Sequence, residues 1–248
     1  MRALLVTSQV TYVPLNYRGL FDELMSHAGE HVAGLVILRN FSFKLLAKSC
    51  AIQAIGCPAI GRTMLSNIFK LPLRWREKIF EKKNLPVIYA ESMNEQRVIE
   101  WVRQNQIDIV VNLRTRCIYK KEILSAPRIG CINIHHGILP EYRGTFCDLY
   151  ALSENRPAGF TIHAMNEKID AGNILVKKTV SITGEKNYIK YLARSAVVEA
   201  TTLSNLLNET AAAGRLPEGM PNICVKPFYS KNPNLKQIRQ LKSMGMIL

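Results

Sequence analysis

Two polar side chains near the end of an apolar run, Asn133 and His135, could act together in chemistry. They alternate with Ile132 and Ile134 in the segment 131–144, which ends in turn-forming residues. Successive side chains of a strand point to opposite faces, so the amide and the imidazole project together while the isoleucines pack. Ligands of open α/β sheets bind beyond the carboxyl ends of the strands. The pair can therefore offer hydrogen bonds, and the imidazole can move a proton, at such a ligand site.

The elements around this strand alternate between apolar strands and amphipathic helices. Before it, we predict strands at 2–8, 32–38, 84–89 and 107–113 and helices at 17–27 and 92–104. The second of these helices should open with a capping box formed by Ser92 and Glu95. After it, we predict strands at 159–165, 174–180 and 223–229, a helix ending near 154 and a long helix at 188–207. The alternation predicts the α/β class, as a Rossmann-like, mostly parallel twisted sheet with helices on both faces.

The composition indicates a globular protein with reduced thiols. Apolar residues make up 48% of the 248 residues, and the six cysteines show no Cys-x-x-Cys spacing. No apolar run approaches the roughly 18 residues of a membrane span, and the amino terminus lacks a signal-peptide pattern. The opening β-α-β unit also lacks Gly-x-Gly-x-x-Gly, which argues against an NAD enzyme. We therefore predict a cytoplasmic protein without a metal site.

The net charge of +14 is concentrated in two segments. Residues 39–83 carry ten basic side chains against two acidic ones, and residues 220–248 carry five basic side chains and no acidic one. We divide the chain into a domain at 1–219, with a basic amphipathic insertion at about 39–83, and a short basic carboxy-terminal appendage at 220–248. Basic segments attract phosphate groups, nucleic acid or anionic lipid, or form a solvated surface. The insertion helices could lie on a membrane, cover a substrate cleft or pack on the domain.

Four motifs follow one another after residue 132. They are Asn133-Ile-His135, Leu139-Pro140-x-Tyr142-Arg143-Gly144, Gly159-x-Thr161-x-His163 and Ile169-Asp170-x-Gly172-x-Ile174. In this order they resemble the 10-formyltetrahydrofolate-dependent formyltransferase family, which includes glycinamide ribonucleotide formyltransferase, methionyl-tRNA formyltransferase and the sugar-nucleotide N-formyltransferases. The resemblance is dense over 107–176 and weak over 39–83 and the tail. It implies the formyltransferase fold, a catalytic domain at 1–219 and 10-formyltetrahydrofolate as co-substrate.

The resemblance implies that Asn133, His135 and Asp170 are the catalytic residues. When an amine attacks the formyl carbon, the tetrahedral oxygen needs hydrogen-bond donors, which Asn133 and a protonated His135 can supply. Asp170 would keep His135 cationic and take part in proton transfer. The resemblance also implies a folate pocket lined by Cys117, Ile118, Tyr119, Asn166, Glu167, Lys168 and Ile169.

The chain departs from the family pattern at Gly137, where a Ser is common, and we expect this change to affect how the substrate is held. His136 faces away from His135, and we interpret both His136 and His163 as structural. Only a short tail follows the last long helix, where methionyl-tRNA formyltransferase has an RNA-binding domain. The best fit is therefore N-formylation of a small or carrier-linked amine with phosphate, most plausibly a nucleotide-linked amino sugar. The candidate substrate-binding residues are Arg143, Arg114, Arg116 and Gly137.

Several alternatives stay open at this point. The chain could formylate an aminoacyl-tRNA, or it could be a non-catalytic relative that binds folate or nucleic acid. It could also act at a membrane surface on a lipid-linked amino sugar, as the 39–83 segment would allow. A homodimer through the carboxy-terminal strand is a further expectation. The sequence does not identify the acceptor.

Overall fold

Nine strands and nine α-helices form the fold in the computed structural model, which describes residues 1–248. The strands are β1 (Ala3–Ser8), β2 (Val32–Leu38), β3 (Val87–Ala90), β4 (Ile109–Asn112), β5 (Gly130–His135), β6 (Tyr142–Gly144), β7 (Gly159–Ala164), β8 (Ile174–Thr179) and β9 (Phe228–Ser230). The helices are α1 (Arg18–His27), α2 (Phe43–Ala54), α3 (Pro58–Phe69), α4 (Trp75–Glu81), α5 (Gln96–Gln104), α6 (Lys121–Leu124), α7 (Cys147–Ser153), α8 (Tyr188–Ala213) and α9 (Leu235–Ser243). None of these helices combines the length and the apolar character that a membrane span needs.

Seven strands form one sheet in the order β3-β2-β1-β4-β5-β7-β8. Strands β1 to β5 are mutually parallel, β7 runs antiparallel to β5, and β8 runs antiparallel to β7. The strand order reverses direction between β1 and β4, so the loops that follow these two strands diverge and leave a crevice there. The predicted mostly parallel sheet is confirmed.

The core lies on both faces of this sheet. Along β1, Ala3 and Leu5 pack in the larger core cluster with α1 and α8, whereas Leu4 and Val6 pack in the smaller cluster with α5. All four side chains are fully buried. Because neighbouring side chains of one strand enter opposite cores, the sheet must carry helices on both faces, as predicted.

The basic segment 39–83 folds as α2, α3 and α4 and packs on the domain. Asn67 of α3 donates through Nδ2 to the carbonyl oxygens of Thr11 (2.9 Å) and Val13 (2.8 Å), in the loop after β1. Arg76 of α4 is 3% exposed and donates to the carbonyl oxygens of Ser8 (2.8 Å) and Gln9 (2.6 Å). Burial lowers the pKa of Arg76 to about 10. The insertion thus holds the loop that follows the first strand.

The tail returns to the middle of the molecule. Strand β9 pairs in parallel with β6, in a separate two-stranded sheet, and the Ser230 hydroxyl donates to the carbonyl oxygen of Thr145 (2.6 Å). Ile238 and Leu241 of α9 are buried in the larger core cluster. The strand predicted at 223–229 is shorter and begins at Phe228, just after Pro227, which lacks the N–H that strand pairing requires. Helix α9 was not predicted.

Only one of the two hydrogen bonds of the capping box predicted at Ser92 and Glu95 is present. Glu95 Oε1 does accept from the backbone N–H of Ser92 (3.0 Å). The Ser92 hydroxyl, however, accepts from the N–H of Asn94 (3.1 Å), and the helix begins only at Gln96. A short turn closed by a Ser side chain competes with helix capping, and here it delays the helix.

Candidate active site

Strands β5 and β7 place three polar side chains side by side. In their antiparallel register, Asn133 lies opposite His163 and His135 opposite Thr161. The Asn133 amide donates through Nδ2 to His163 Nε2 (3.1 Å), while His163 Nδ1 lies 2.7 Å from the carbonyl oxygen of Ala164. Since a carbonyl can only accept, His163 Nδ1 carries a proton. The sequence predicts a structural role for His163, and the structure places it in direct contact with Asn133.

Asp170 closes the same group from the turn between β7 and β8. Its Oδ2 lies 3.5 Å from His135 Nδ1 and accepts from the backbone N–H of Gly144 (3.2 Å). Its Oδ1 lies 3.7 Å from His163 Nε2. A Cβ atom on Gly172 would sit 1.9 Å from the carbonyl oxygen of Ala164, so only glycine allows this turn to fold back on β7. The D-x-G spacing thus serves to bring Asp170 to the two imidazoles.

The charges in this group differ from those we expected. Burial alone would raise the pKa of Asp170, but His163, His135 and the Gly144 N–H outweigh it and lower the pKa to about 2. Burial lowers the pKa of His135, and the opposing effect of Asp170 does not restore it. The expectation that Asp170 keeps His135 cationic is therefore wrong for the free protein, in which His135 is a neutral base beside an ionised carboxylate.

His135 nevertheless has acceptors at both ring nitrogens. Nε2 lies 2.9 Å from the carbonyl oxygen of Tyr142, so Nε2 carries the proton of the neutral ring. Nδ1 then offers its lone pair on the side of Asp170. A proton taken up at Nδ1 would lie against the carboxylate, which would stabilise the imidazolium.

These residues line a cavity of about 390 Å³, referred to below as the catalytic cavity. The two loops predicted to hold the folate form its walls, together with the catalytic residues; the predicted members are Cys117, Ile118, Tyr119, Asn166, Glu167, Lys168, Ile169, Asn133, His135 and Asp170. Asn133 Oδ1 is buried and has no hydrogen-bond partner. A buried amide oxygen without a partner is costly, so this atom marks a place for an N–H or O–H donor of a ligand.

We expected Arg114 to bind a phosphate group of the substrate, but its side chain takes part in a buried ionic network. Its side chain is 6% exposed, and Nη1 lies 3.9 Å from Glu199 Oε1. His136 contacts Asp148 Oδ2 through Nδ1 (2.7 Å) and Glu199 Oε1 through Nε2 (2.6 Å). Burial would lower the pKa of His136, but the two carboxylates outweigh it and raise the pKa to about 10. Two cations thus face two carboxylates, and His136 has the structural contacts that we expected.

Arg143 and Gly137 do not line the catalytic cavity, contrary to our expectation. Arg143 donates through Nη2 to the backbone oxygen (3.0 Å) and Oδ1 (3.2 Å) of Asn222. Asn222 in turn donates to the carbonyl oxygen of Asp170 (2.9 Å), so Arg143 supports the Asp170 turn from behind. A Cβ atom on Gly137 would lie 2.6 Å from His135 Nε2 and 2.7 Å from Cys147 Cβ, so glycine is required by packing.

Arg116 is the one predicted substrate-binding residue that lies exposed at the cavity. Its Nη2 donates to Asn232 Oδ1 (3.1 Å), and it makes no ion pair with a carboxylate. Asn222 and Asn232, which hold Asp170 and Arg116, were missed because a single Asn in a tail segment carries no pattern. His163 could have been found from its strand register opposite Asn133, had the antiparallel pairing been known.

Comparison with known proteins finds related chains. A family model described as formyl transferase matches residues 75–207. The methionyl-tRNA formyltransferase of Thermotoga maritima is 35% identical over 106 residues, which are 42% of this chain and 34% of that relative. The bifunctional polymyxin resistance protein ArnA of Wigglesworthia glossinidia brevipalpis is 30% identical over 186 residues, which are 70% of this chain and 28% of that relative. The chain therefore spans only about a third of the length of these relatives.

A solved structure has the same fold. The sugar N-formyltransferase from a Shewanella species aligns with a TM-score of 0.58 and 18% identity, over 98% of this chain and 87% of that one. At this identity the match concerns the fold alone.

Proposed function

Because the chain belongs to the formyl transferase family, we propose that it transfers the formyl group of 10-formyltetrahydrofolate to a primary amine. The observation that carries this proposal is the convergence of Asn133, His135 and Asp170 at one end of a buried strand, within 3.5 Å for His135 and Asp170. The same three residues carry the family motifs in the sequence. They supply an amide, a neutral base and a carboxylate, which amine formylation needs.

The residues of the catalytic cavity fit the folate co-substrate. Two loops, at 117–119 and 166–169, line the cavity together with Asn133, whose Oδ1 has no partner within the protein. When bound, the folate would supply an activated formyl carbon attached to its N10 nitrogen. In the overall reaction a bond forms between the amine nitrogen and the formyl carbon, the bond from that carbon to N10 breaks, and one proton moves from the amine to N10.

Each polar side chain has a part in that reaction. Asn133 Oδ1 can accept a hydrogen bond from the amine, while an N–H of its amide can donate to the oxygen that becomes negative. His135 can accept the amine proton at Nδ1 and later return it to N10. Asp170, ionised because of its low pKa, stabilises the imidazolium in between. His163 holds Asn133 in place through the 3.1 Å hydrogen bond.

We propose a phosphate-bearing amine as the acceptor, with a nucleotide-linked amino sugar as the class favoured by the sequence. The support is charge near the catalytic cavity. Arg116 lies at its rim, and Lys120 lies four residues further along the same loop. Neither side chain has an ion-pair partner, so both can meet an anionic group of the acceptor.

The test is release of tetrahydrofolate from 10-formyltetrahydrofolate in the presence of a panel of nucleotide-linked amino sugars and simple amines. We expect release with at least one amine, and its loss in His135→Ala. The matched control is His27→Ala, which removes an exposed histidine on α1. If no amine gives release above the His135→Ala background, the proposed activity is wrong.

A second acceptor class is an aminoacyl-tRNA, and it has one observation in its favour, the concentration of positive charge at 39–83. Binding to a polyanion releases counterions, so the affinity should fall steeply with salt, by a slope of roughly 0.9 per duplex phosphate contact. A small phosphorylated amine should show a much weaker salt dependence. Measuring the affinity for both at two salt concentrations separates the two classes.

A further inference from the structure

A second, larger cavity adjoins the catalytic cavity. It has a volume of about 800 Å³ and lies between the loop after β1, the pair α2 and α3, and α9. We call it the apolar chamber, because more than half of its lining residues are hydrophobic. The members from the insertion and the tail include Leu45, Ile52, Ile55, Ile60, Met64 and Ile238. A cavity of this size is in the range that binds a ligand, roughly 300–1,000 Å³.

The chamber and the catalytic cavity adjoin and share part of their lining. Tyr12 and Phe146 line both of them, and their ring centroids are 5.1 Å apart. Arg116 and Ile118 also line both cavities. A molecule with its amine at Asn133 could therefore extend past the two aromatic rings into the chamber.

The chamber wall suits a hydrocarbon better than a nucleotide. The stretch 45–64, which forms α2 and the first part of α3, contributes aliphatic or sulfur-containing residues and a single charged one, Lys48. A nucleoside lying against this stretch would bring ring nitrogens, carbonyls and hydroxyls to side chains that cannot pair with them, and each unpaired polar group costs free energy on burial. A hydrocarbon chain has no such requirement, and its burial is favourable.

Three basic side chains of the chamber could contact an anionic group, and one of them, Arg116, also lines the catalytic cavity. Lys48, Arg116 and Lys120 line the chamber and form no ion pair with a carboxylate. The one acidic lining residue, Glu91, lies 3.7 Å from Arg39, which offsets its charge. An anion between a hydrocarbon chain and an amine-bearing head would therefore meet unpaired positive charge.

The surface next to the chamber has the same combination of apolar and basic side chains. Phe43 is 83% exposed and Phe41 is 42% exposed, and they stand in the chain between the chamber-lining residues Asn40 and Leu45. Exposed aromatic rings beside basic side chains are common where proteins meet amphiphiles. These rings extend the apolar surface of the chamber to the outside.

From these observations we propose that the apolar chamber binds the hydrocarbon chain of the acceptor, so that within the phosphate-bearing amines the acceptor is a lipid-linked rather than a nucleotide-linked one. The acceptor would be an amphiphile with an amine-bearing head at Asn133 and His135, an anionic linking group at Lys48, Arg116 and Lys120, and an aliphatic chain between α2, α3 and α9. This assignment rests on the proposed formyl transfer for the role of the amine, and on the chamber alone for the chain.

The test measures chain binding without folate or amine. Hexyl, octyl and decyl phosphate are titrated into the protein by calorimetry. Burial of each added methylene contributes about 0.8 kcal/mol, so the affinity should rise about fourfold per methylene. The heat-capacity change of binding should be negative. Geranyl phosphate, compared with decyl phosphate, distinguishes an isoprenoid from a linear acyl source of the chain.

Substitutions at Met64 and Phe69, which both lie on α3, give the comparison. Met64→Glu places a carboxylate in the chamber and should abolish the dependence on chain length, as should Ile55→Glu if the first variant fails to fold. Phe69→Glu makes the same kind of change at a side chain that is 72% exposed and outside the chamber, so it should keep that dependence.

The outcomes separate this inference from the proposed activity. Equal affinities for the three alkyl phosphates, or no effect of Met64→Glu on them, would overturn the chamber assignment even if tetrahydrofolate is released with some amine. Binding of uridine diphosphate that Met64→Glu removes would also overturn it, in favour of a nucleotide. Chain-length dependence that only the chamber variants remove supports it, whatever the release assay gives.

Discussion

His135 Nδ1 lies 3.5 Å from Asp170 Oδ2, while the other ring nitrogen, Nε2, donates to the carbonyl oxygen of Tyr142. The imidazole is therefore held between two acceptors while burial keeps it neutral. Such a ring takes up a proton at one defined atom, next to the carboxylate that stabilises the product. With this arrangement His135 can accept a proton from the amine at Nδ1 and then donate it to N10 of the folate.

The Asp170→Asn variant should lose most of the transfer rate. The amide cannot stabilise the imidazolium, and general acid–base catalysis contributes roughly 10²–10⁴-fold, so kcat should fall within that range. Asn tolerates the left-handed backbone of this position (φ 49°), so the turn should keep its shape. Steady-state kinetics of tetrahydrofolate release measure the effect, and a loss smaller than tenfold would contradict the role given to Asp170.

Asp170 should also stabilise the fold at neutral pH. Its pKa falls from 3.8 to about 2 on folding, so its contribution is present above pH 4 and is lost as the pH falls from about 4 to 2. A shift of this size corresponds to about 2 kcal/mol. Urea unfolding of the wild type and Asp170→Asn should give a difference near neutral pH that shrinks in acid. A difference that grows in acid would contradict the low pKa.

The buried network around His136 should make stability fall in alkali. Its pKa is raised from 6.5 to about 10, so the ion pairs contribute fully below pH 6.5 and their contribution is lost as the pH rises through 10. Removing one partner of such a network leaves an uncompensated charge and costs about 3–5 kcal/mol. Denaturant unfolding of the wild type should show this decline, and His136→Gln should be less stable at neutral pH with a flatter alkaline profile. A wild-type stability that stays constant over this range would exclude a charged His136.

Gly137→Ala should damage both activity and stability. The new Cβ would lie 2.6 Å from His135 Nε2 and 3.0 Å from the carbonyl oxygen of Tyr142, so the hydrogen bond that orients His135 cannot persist. Overpacking of this kind costs about 1–3 kcal/mol. Gly19→Ala in α1 is the control, because its Cβ would meet only Val197 Cγ2 at 3.8 Å. If the two variants have the same kcat and thermal midpoint, the packing role of Gly137 is wrong.

The elements that local patterns control could be predicted from the sequence. Helix α1 has Leu20, Phe21, Leu24 and Met25 buried at the predicted spacing, and β2 has the predicted bounds. The resemblance to the family motifs implied, from the sequence alone, that Asn133, His135 and Asp170 act as one catalytic set. These features depend on periodicity or on fixed spacing, which a sequence displays directly.

Features that depend on long-range contacts could not be predicted. The pKa of His135 is lowered because the folded chain buries its side chain. Arg114 lies beside Glu199 of α8, which is 85 positions away in the chain. Arg143 contacts Asn222, which is 79 positions away in the chain. The apolar chamber has the same origin, because α2, α3 and α9 enclose it only after folding.

The most direct test of the account follows the formyl carbon itself. The protein is mixed with folate labelled with carbon-13 at the formyl group and with the amine that supports release, and the label is followed by nuclear magnetic resonance. We expect the label to appear in a formamide of the acceptor with the wild type, and to stay on the folate with His135→Ala. Label that appears only as formate, or that remains on the folate with the wild type, would contradict formyl transfer to an amine.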